Sequence, residues 1–249
     1  MPIIIKSDEE IAIMRHAGSV VARTLQCLAE ELRPGLVVKE LDKVVRREFE
    51  KQKVEPTFLG YHGYPATVCV SVNEEIVHGI PGKRVIKDGD VVSLDLGCTY
   101  KGFVADSAVT VIVGKANPRT REMVDVTRES LEEGIRHLRP GSRLGEISHA
   151  IQTYIESRGF GVVREYVGHG VGRQMHEEPQ VPNFGPADRG PVLKKGMVLA
   201  LEPMVTMGDW RTRQLEDGWT VVTADGGLAA HFEHTIAVTD GDPQVLTVP

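Results

Sequence analysis

Two stretches of this chain resemble each other closely: Lys87-Asp-Gly-Asp-Val-Val-Ser-Leu-Asp95 and Lys194-Lys-Gly-Met-Val-Leu-Ala-Leu-Glu202. Each stretch begins with lysine, passes a glycine, runs through apolar residues and ends on a carboxylate. The second stretch begins 107 residues after the first. A short apolar run bounded by a turn residue is typical of a buried β-strand. The pair therefore predicts two equivalent strands, each of which delivers a carboxylate.

Three further matches follow the same order along the chain. Leu32-Arg-Pro-Gly35 recurs 106 residues later as Leu138-Arg-Pro-Gly141, and Tyr61-His-Gly-Tyr64 has an echo in Gly168-His-Gly-Val171, at an offset of 107. Asp106 and Glu233 lie 127 residues apart, which implies about twenty extra residues in the second half. Ordered self-similarity of this kind indicates duplication. We predict one α+β domain over 1–249, built from halves of about 1–115 and 116–249 that face each other across a pseudo-twofold axis.

Helix signals precede the strands in each half. Ser7-x-x-Glu10 is a capping box, a second helix is expected from about Leu36 to Gln52, and Asn117-Pro118 opens a third. The first helix carries an apolar stripe of alternating three- and four-residue steps, which predicts one buried face. The stripe consists of Ile11, Met14, Val21, Leu25, Leu28 and Leu32.

Composition excludes several classes of protein. The 249 residues are 41% hydrophobic and 26% charged, which is ordinary for a globular domain. A net charge of −6 argues against a nucleic-acid surface, and three cysteines are too few for a disulfide framework. Neither a signal peptide nor an apolar stretch of membrane-spanning length is visible. We therefore expect a cytoplasmic protein without a membrane or a sequence-specific nucleic-acid partner.

Five candidate metal ligands lie in or beside short apolar, β-like runs. A carboxylate in an apolar strand is costly unless a positive group compensates it. Four carboxylates and one imidazole would suit two divalent cations, because such oxygen-rich ligands favour Mn, Fe, Co or Zn. The first two come from one half, joined by a hairpin turn expected at 97–102, and the last two come from the other half. The five residues are Asp95, Asp106, His169, Glu202 and Glu233.

Other readings of these residues stay open on the pattern alone. A strand aspartate is equally often a solvated edge or turn residue. His78 and His176 could donate a hydrogen bond to a peptide carbonyl or an oxyanion, or could be surface or capping residues. Cys69 lies in an alternating strand pattern and is read as a wall residue rather than a nucleophile. His176-Glu-Glu-Pro-Gln lacks the second histidine of the zincin motif.

The motifs taken together resemble the type I methionine aminopeptidases. The resemblance runs in order over nearly the whole chain. It looks like the short bacterial form, because an N-terminal zinc-binding extension and the type II insertion are not seen. The motifs are Tyr61-His-Gly-Tyr-Pro65, Asn73-Glu-Glu-Ile-Val-His-Gly-Ile-Pro81, Asp95, Asp106, Gly168-His-Gly-Val-Gly-Arg173, His176-Glu-Glu-Pro-Gln180, Glu202-Pro-Met204 and Phe232-Glu-His-Thr235.

The resemblance implies a pita-bread fold and the removal of the initiator methionine from nascent chains whose next residue is small. It implies two divalent ions, of Co, Mn, Fe, Ni or Zn. One ion would be held by Asp95, Asp106 and Glu233, and the other by Asp106, His169, Glu202 and Glu233. A metal-bound hydroxide would attack the peptide carbonyl while Glu202 relays its proton to the leaving amine.

The resemblance also implies roles outside the metal ligands. His78 would contact the nitrogen of the scissile bond, and His176 would steady the carbonyl oxygen. Many relatives carry cysteine where Phe58 stands and phenylalanine where Met175 stands, so the exact shape of the pocket differs from theirs. Aromatic and sulfur-bearing groups suit a flexible thioether. The methionine pocket would be lined by Phe58, Tyr61, Tyr64, Cys69, Met175 and Trp219.

Two alternative functions share these residues. A proline-specific peptidase of the same fold uses the same five ligands but usually carries an additional N-terminal domain, for which this chain has no room. A noncatalytic pita-bread binding module would tend to have lost metal ligands, and all five are intact. The leading expectation is a monomeric aminopeptidase whose partners are nascent N-termini, with docking to the ribosome left open. Pro2 is small, so Met1 is itself an expected substrate.

Overall fold

The computed structural model describes residues 2–249, which contain four helices and fifteen strands. All of the strands pair antiparallel with their neighbours. Met1, whose removal is expected, lies outside these residues. The helices are α1 Asp8–Glu31, α2 Lys39–Gln52, α3 Pro118–Arg136 and α4 Leu144–Glu156. The strands are β1 Glu55–Pro56, β2 Cys69–Val72, β3 Glu75–Val77, β4 Val91–Tyr100, β5 Phe103–Ile112, β6 Gly161–Val162, β7 Gly168–Gly170, β8 Glu177–Val181, β9 Val198–Leu201, β10 Met204–Thr206, β11 Thr212–Gln214, β12 Val221–Thr223, β13 Ala229–His231, β14 His234–Ala237 and β15 Gln244–Val245.

The helices begin at their capping residues. The hydroxyl of Ser7 accepts a hydrogen bond from the backbone of Glu10 while the Glu10 carboxylate accepts one from the backbone of Ser7, so the predicted capping box is confirmed. Asn117 caps α3 with its side-chain oxygen. Helix α2 begins at Lys39 and not at Leu36, because Val37 forms a β-bridge with Val85 instead.

A long hairpin of β4 and β5 carries the two aspartates. Its turn is Lys101-Gly102, with φ angles of 49° and 77°, the left-handed conformation of a tight type I′ turn. The turn predicted over 97–102 is therefore too long, because residues 97–100 continue the ladder opposite 103–106. Asp95 pairs with Ala108 and Asp106 with Gly97, so the aspartates are diagonal neighbours on one face of the hairpin.

The two halves share local contacts at equivalent positions. Gly35 and Gly141 have φ angles of 93° and 92°. Their backbone N–H groups donate to the carbonyls of Ile86 at 2.8 Å and of Leu193 at 3.0 Å. These matches support the proposal of two duplicated halves with a boundary near residue 115. The echo between 61–64 and 168–171 does not extend to secondary structure, since Tyr61–Gly63 is a 3₁₀ turn and Gly168–Gly170 a strand.

A seam of hydrogen bonds joins β5 of the first half to the second half. Ala108 and Glu233 form an antiparallel bridge, and the hydroxyl of Thr235 accepts from the N–H of Asp106 at 3.0 Å and donates to its carbonyl at 2.8 Å. Beyond the seam, β14 pairs with β9 and β9 with β7. Neighbouring strands therefore place Asp106, Glu233, the end of β9 and His169 in spatial order, although they are far apart in sequence.

The buried apolar side chains form separate clusters in the two halves. One cluster lies between α1, α2 and the β4–β5 hairpin, and the other lies between α3, α4 and strands that include β9 and β10. A smaller cluster, which includes Phe58, Tyr64 and Met175, lies beside the seam. Within residues 2–249 none of the helices has the length and apolar character needed to span a bilayer.

Candidate active site

One cavity of about 90 Å³ collects all of the residues that the sequence singled out. This volume has room for several water-sized groups. It opens where the β4–β5 hairpin meets β7, β9 and the start of β14. Its thirteen lining residues are Phe58, Tyr61, Tyr64, Cys69, His78, Asp95, Asp106, His169, Met175, His176, Glu202, Trp219 and Glu233.

Three side chains at the base of the cavity converge closely enough to share an ion. Asp106, His169 and Glu233 each offer one donor atom, and these atoms all lie within 4.8 Å of one another. All three residues are buried. Asp95, on β4, and Glu202, directly after β9, are partly exposed and line the same cavity.

The orientation of His169 suits a metal ligand. Its Nδ1 lies 2.9 Å from the carbonyl oxygen of Gly170, and because a carbonyl only accepts, Nδ1 carries the proton. The unprotonated Nε2 then faces Asp106 Oδ2 at 3.9 Å and Glu202 Oε1 at 3.6 Å, too far for hydrogen bonds. Donors at about 2.1 Å from one ion lie about 3–3.5 Å apart. Burial lowers the pKa of His169 to about 3, so the ring is neutral.

Four carboxyl groups share this buried space, and no lysine or arginine among residues 2–249 lies within 4.0 Å of their oxygens. Burial raises the pKa of Asp106 to about 7. Burial and the neighbouring carboxylates raise the pKa values of Asp95, Glu202 and Glu233 well above their usual range. One oxygen each of Asp95, Asp106 and Glu233 is buried without a hydrogen-bond partner in the protein. Mutual repulsion and unpaired oxygens are what bound divalent cations would relieve, so these residues fit a metal centre.

Two further histidines border the cavity. His176 Nδ1 lies 2.7 Å from the hydroxyl of Tyr61, and its ring centroid is 4.3 Å from that of His169. His78 follows β3 with a φ of 61°, a left-handed conformation that a non-glycine residue seldom adopts. Burial lowers the pKa of both rings, that of His78 to about 4, so both are neutral at pH 7.

The remaining wall of the cavity is apolar. The hydroxyl of Tyr64 lies 3.0 Å from the carbonyl oxygen of Gly79, and its ring meets Trp219 edge to face at 5.0 Å. Cys69 is buried in β2, and burial keeps the pKa of its thiol well above the usual value, which suits a wall residue rather than a nucleophile. The six predicted pocket residues therefore surround one apolar space beside the carboxylates.

Two residues near the site were not singled out from the sequence. His231 is buried, finds no hydrogen-bond partner within residues 2–249 for either ring nitrogen, and places Nε2 3.9 Å from Glu202 Oε2. Asn183 donates from Nδ2 to the backbone oxygen of Glu202 at 3.0 Å. Strand alternation could have drawn attention to His231, which lies two residues before Glu233. No local signal distinguishes Asn183, because its contact depends on tertiary packing.

Known proteins resemble this chain in sequence and in fold. Residues 12–240 match metallopeptidase family M24. Methionine aminopeptidase 1 of Bacillus subtilis is 52% identical over 245 residues, which cover 98% of this chain and 99% of that protein. The crystal structure of methionine aminopeptidase from Thermotoga maritima has a TM-score of 0.98 at 51% identity and covers 100% of both chains.

A prolidase from Pyrococcus furiosus has a TM-score of 0.82 at 24% identity and covers 99% of this chain and 66% of that one, a likeness of fold alone. The α+β pita-bread fold expected from the sequence is thus confirmed. Identity near one half over the full length distinguishes the aminopeptidases from the prolidase. The chain therefore belongs to metallopeptidase family M24 and, within it, to the methionine aminopeptidases.

Proposed function

We propose that this protein is a metal-dependent aminopeptidase that removes an N-terminal methionine from polypeptides whose second residue is small. One observation carries the proposal: the converging metal ligands and the apolar wall border the same cavity. A methionine side chain in the apolar part would bring its own peptide bond to the carboxylates. Its substrates would be nascent N-termini, met by a monomer in the cytoplasm beside the ribosome.

Two divalent ions per chain would be held by the five ligands. Asp95, Asp106 and Glu233 would hold one, and Asp106, His169, Glu202 and Glu233 the other. Bound ions of this kind polarise a carbonyl and lower the pKa of water. Nitrogen and oxygen donors suit Co, Mn, Fe, Ni or Zn.

The protein's own side chains would move and hold the protons. Glu202 would take a proton from the attacking water and return it to the leaving amine. A Tyr61 hydroxyl that donates to Nδ1 of His176 would leave the proton of that ring on Nε2, which would then donate to the carbonyl oxygen as negative charge develops there. His78 would face the nitrogen of the scissile bond.

The apolar wall would select the first residue. Phe58, Tyr64, Cys69 and Met175 are each at most 7% exposed, so they form a buried and largely apolar wall. A thioether packs well against aromatic rings and sulfur. A charged or branched first residue would lose this contact or leave a polar group unpaired.

Three tripeptides test the proposed function. Met-Ala-Ser, Met-Lys-Ser and Leu-Ala-Ser are each incubated with chelator-treated protein and with the same protein after divalent metal is restored. We expect cleavage of Met-Ala-Ser alone, and only when metal is present. A chromatographic assay of free methionine measures this cleavage.

Three results would contradict this function. Cleavage by chelator-treated protein would show that the reaction does not depend on the metal ligands. Preference for peptides with proline in the second position and little regard for the first residue would favour a proline-specific peptidase instead. A metal-loaded protein that binds Met-Ala-Ser without cleaving it would point to a binding module.

A further inference from the structure

The segment between β7 and β8 carries two cavity side chains without regular secondary structure of its own. Met175 and His176 both line the cavity, and both lie between the end of β7 at Gly170 and the start of β8 at Glu177. Irregular segments have few ladder hydrogen bonds to hold them, so other contacts must set their position. These contacts converge on one carboxylate, that of Glu177.

Glu177 ties the segment together from the inside. Its Oε1 accepts the backbone N–H of Arg173 at 2.8 Å and that of Gln174 at 3.2 Å. Carboxylate bonds to backbone N–H groups are charge-assisted and stronger than bonds between neutral partners. The same residue directly follows His176, so a displacement of its carboxylate would carry both cavity residues with it.

Lys6 supplies the opposite charge from the N-terminal segment. Its Nζ lies 2.6 Å from Glu177 Oε2, and the two side chains are only 2% and 4% exposed. Across residues 2–249, Lys6 is the one cationic side chain within 4.0 Å of this carboxylate. The backbone N–H of Lys6 donates to the carbonyl of Gly196 at 2.8 Å, which anchors it to the turn before β9.

The pair leaves no spare room at the segment. A Cβ atom on Gly172 would lie 2.5 Å from Lys6 Cε and 2.7 Å from Glu177 Oε1. The carbonyl of Gly172 accepts a hydrogen bond from Val104 of β5 at 2.7 Å. The segment is thus packed against the salt bridge at Gly172 and hydrogen-bonded through the same residue to β5 of the hairpin.

We propose that the Lys6–Glu177 pair is a positioning device for Met175 and His176, so that residues 2–7 act as a strap on the substrate cavity. A buried ion pair is weak evidence for added stability, because desolvation offsets most of the attraction. It does define geometry, since removing one partner leaves a buried charge that must move to find water. The inference rests on the proposed function only for its kinetic consequence.

The first test compares Lys6→Met with a matched lysine. Lys195 forms an exposed ion pair with Asp240 at 2.6 Å, next to the anchor Gly196, and Lys195→Met serves as the control. Misplacement of a group by about 1 Å can lower turnover about 10²-fold. For Met-Ala-Ser we expect kcat of Lys6→Met to fall by about this factor, while that of Lys195→Met stays within about twofold of wild type.

Rescue distinguishes positioning from a general loss of stability. In the double variant Lys6→Met/Glu177→Gln, the amide oxygen of residue 177 can still accept from the segment and the buried charge is gone. We expect it to recover most of the lost kcat. In a His176→Ala background, Lys6→Met should lower kcat much less than it does in wild type, because the imidazole that Lys6 helps to position is already absent.

An NMR measurement that does not depend on catalysis tests this inference separately from the proposed function. In metal-free protein labelled with ¹³C at the methionine methyl groups, the Met175 signal, assigned with Met175→Leu, should shift or broaden in Lys6→Met and not in Lys195→Met. Failure of wild type to cleave Met-Ala-Ser would contradict the proposed function and leave this measurement intact.

Three results would overturn the inference itself. These are an unchanged Met175 signal, a kcat for Lys6→Met within about twofold of wild type, or an equal loss with and without His176. If Lys6→Met does not fold, Lys6→Arg replaces it. The larger guanidinium keeps the charge but displaces the carboxylate, so an unchanged Met175 signal in Lys6→Arg would likewise overturn the inference.

Discussion

Glu202 differs from the other four proposed ligands in its surroundings. Its Oε1 faces His169 and its Oε2 faces His231 Nε2 at 3.9 Å, and its backbone oxygen is held by Asn183. Burial, and after it the charge of Asp106, raises the pKa of its carboxyl well above the usual value. This shift belongs to the metal-free protein, because a bound divalent cation would favour the ionised carboxylate.

Replacing Glu202 by glutamine should separate chemistry from folding. The amide keeps the shape of the side chain but cannot take up the proton, so we expect kcat for Met-Ala-Ser to fall about 10²–10⁴-fold with an unchanged circular dichroism spectrum. The exposed Glu216, changed in the same way, is the control and should retain wild-type turnover. A near-normal kcat for Glu202→Gln would remove this residue from proton transfer.

The contact between β5 and the segment before β14 decides whether the two halves form one site. Thr235 is fully buried and satisfies both backbone groups of Asp106, while the hydroxyl of Ser107 donates to the Glu233 carbonyl at 2.6 Å. These bonds lock two of the proposed ligands side by side. They also replace the regular ladder, which at this seam is reduced to the bridge between Ala108 and Glu233.

Thr235→Val should weaken this seam without changing its shape. Valine leaves the buried N–H and carbonyl of Asp106 without partners, so we expect the free energy of unfolding to fall by about 1–3 kcal/mol. Urea titration measures it, with Thr239→Val as the control, because the Thr239 hydroxyl bonds only to exposed backbone. A loss no larger than that of the control would show that the seam does not depend on this hydroxyl.

The whole molecule buries two opposed sets of titratable groups. Four carboxyl groups, those of Asp95, Asp106, Glu202 and Glu233, have pKa values raised by burial. Five histidines have pKa values lowered by burial: His169 and His231 to about 3, His78 and His234 to about 4, and His176 in the same direction. The carboxyl groups favour the fold at low pH, and the neutral histidines favour it at high pH.

In the metal-free protein, the free energy of unfolding should therefore fall as the pH rises above 6.5. Below pH 6.5 the two sets oppose each other, because unfolded histidines gain protons while unfolded carboxyl groups lose them. Above pH 6.5 the unfolded histidines progressively lose their protons, so the effect of the raised carboxyl groups comes to dominate. Each proton retained by the folded protein alone lowers the free energy of unfolding by about 1.4 kcal/mol per pH unit.

We expect chelator-treated protein to melt at a lower temperature at pH 8 than at pH 6.5. Asp106, with its pKa near 7, loses its proton within this window, and the raised pKa values of the other three carboxyl groups act in the same direction. Added divalent cation should abolish the difference, because it stabilises the ionised carboxylates. Differential scanning calorimetry at both pH values checks this, and a melting temperature that rises between pH 6.5 and pH 8 without metal would contradict it.

Local sequence patterns predicted much of this structure because the forces behind them are local. The capping box and the helical stripe of the first helix depend on neighbours within a few residues, and this helix lies where expected. The errors lie at the ends of elements: α2 begins late because Val37 forms a β-bridge with Val85, and the hairpin turn is short because Lys101-Gly102 suffices. In each case a backbone pairing that the local pattern does not record set the boundary.

The sequence by itself determined which residues have metal-ligand and pocket chemistry, because the side-chain type and the repeat order are written in it. Only the tertiary structure decided that these residues meet. The seam that joins Asp106 to Thr235 and Ala108 to Glu233 depends on strands more than one hundred residues apart, and the approach of His231 to Glu202 depends on the packing of separate strands. The same holds for Lys6 and Glu177, which are 171 residues apart. Long-range contacts of this kind arise from packing of whole elements, and no local periodicity records them.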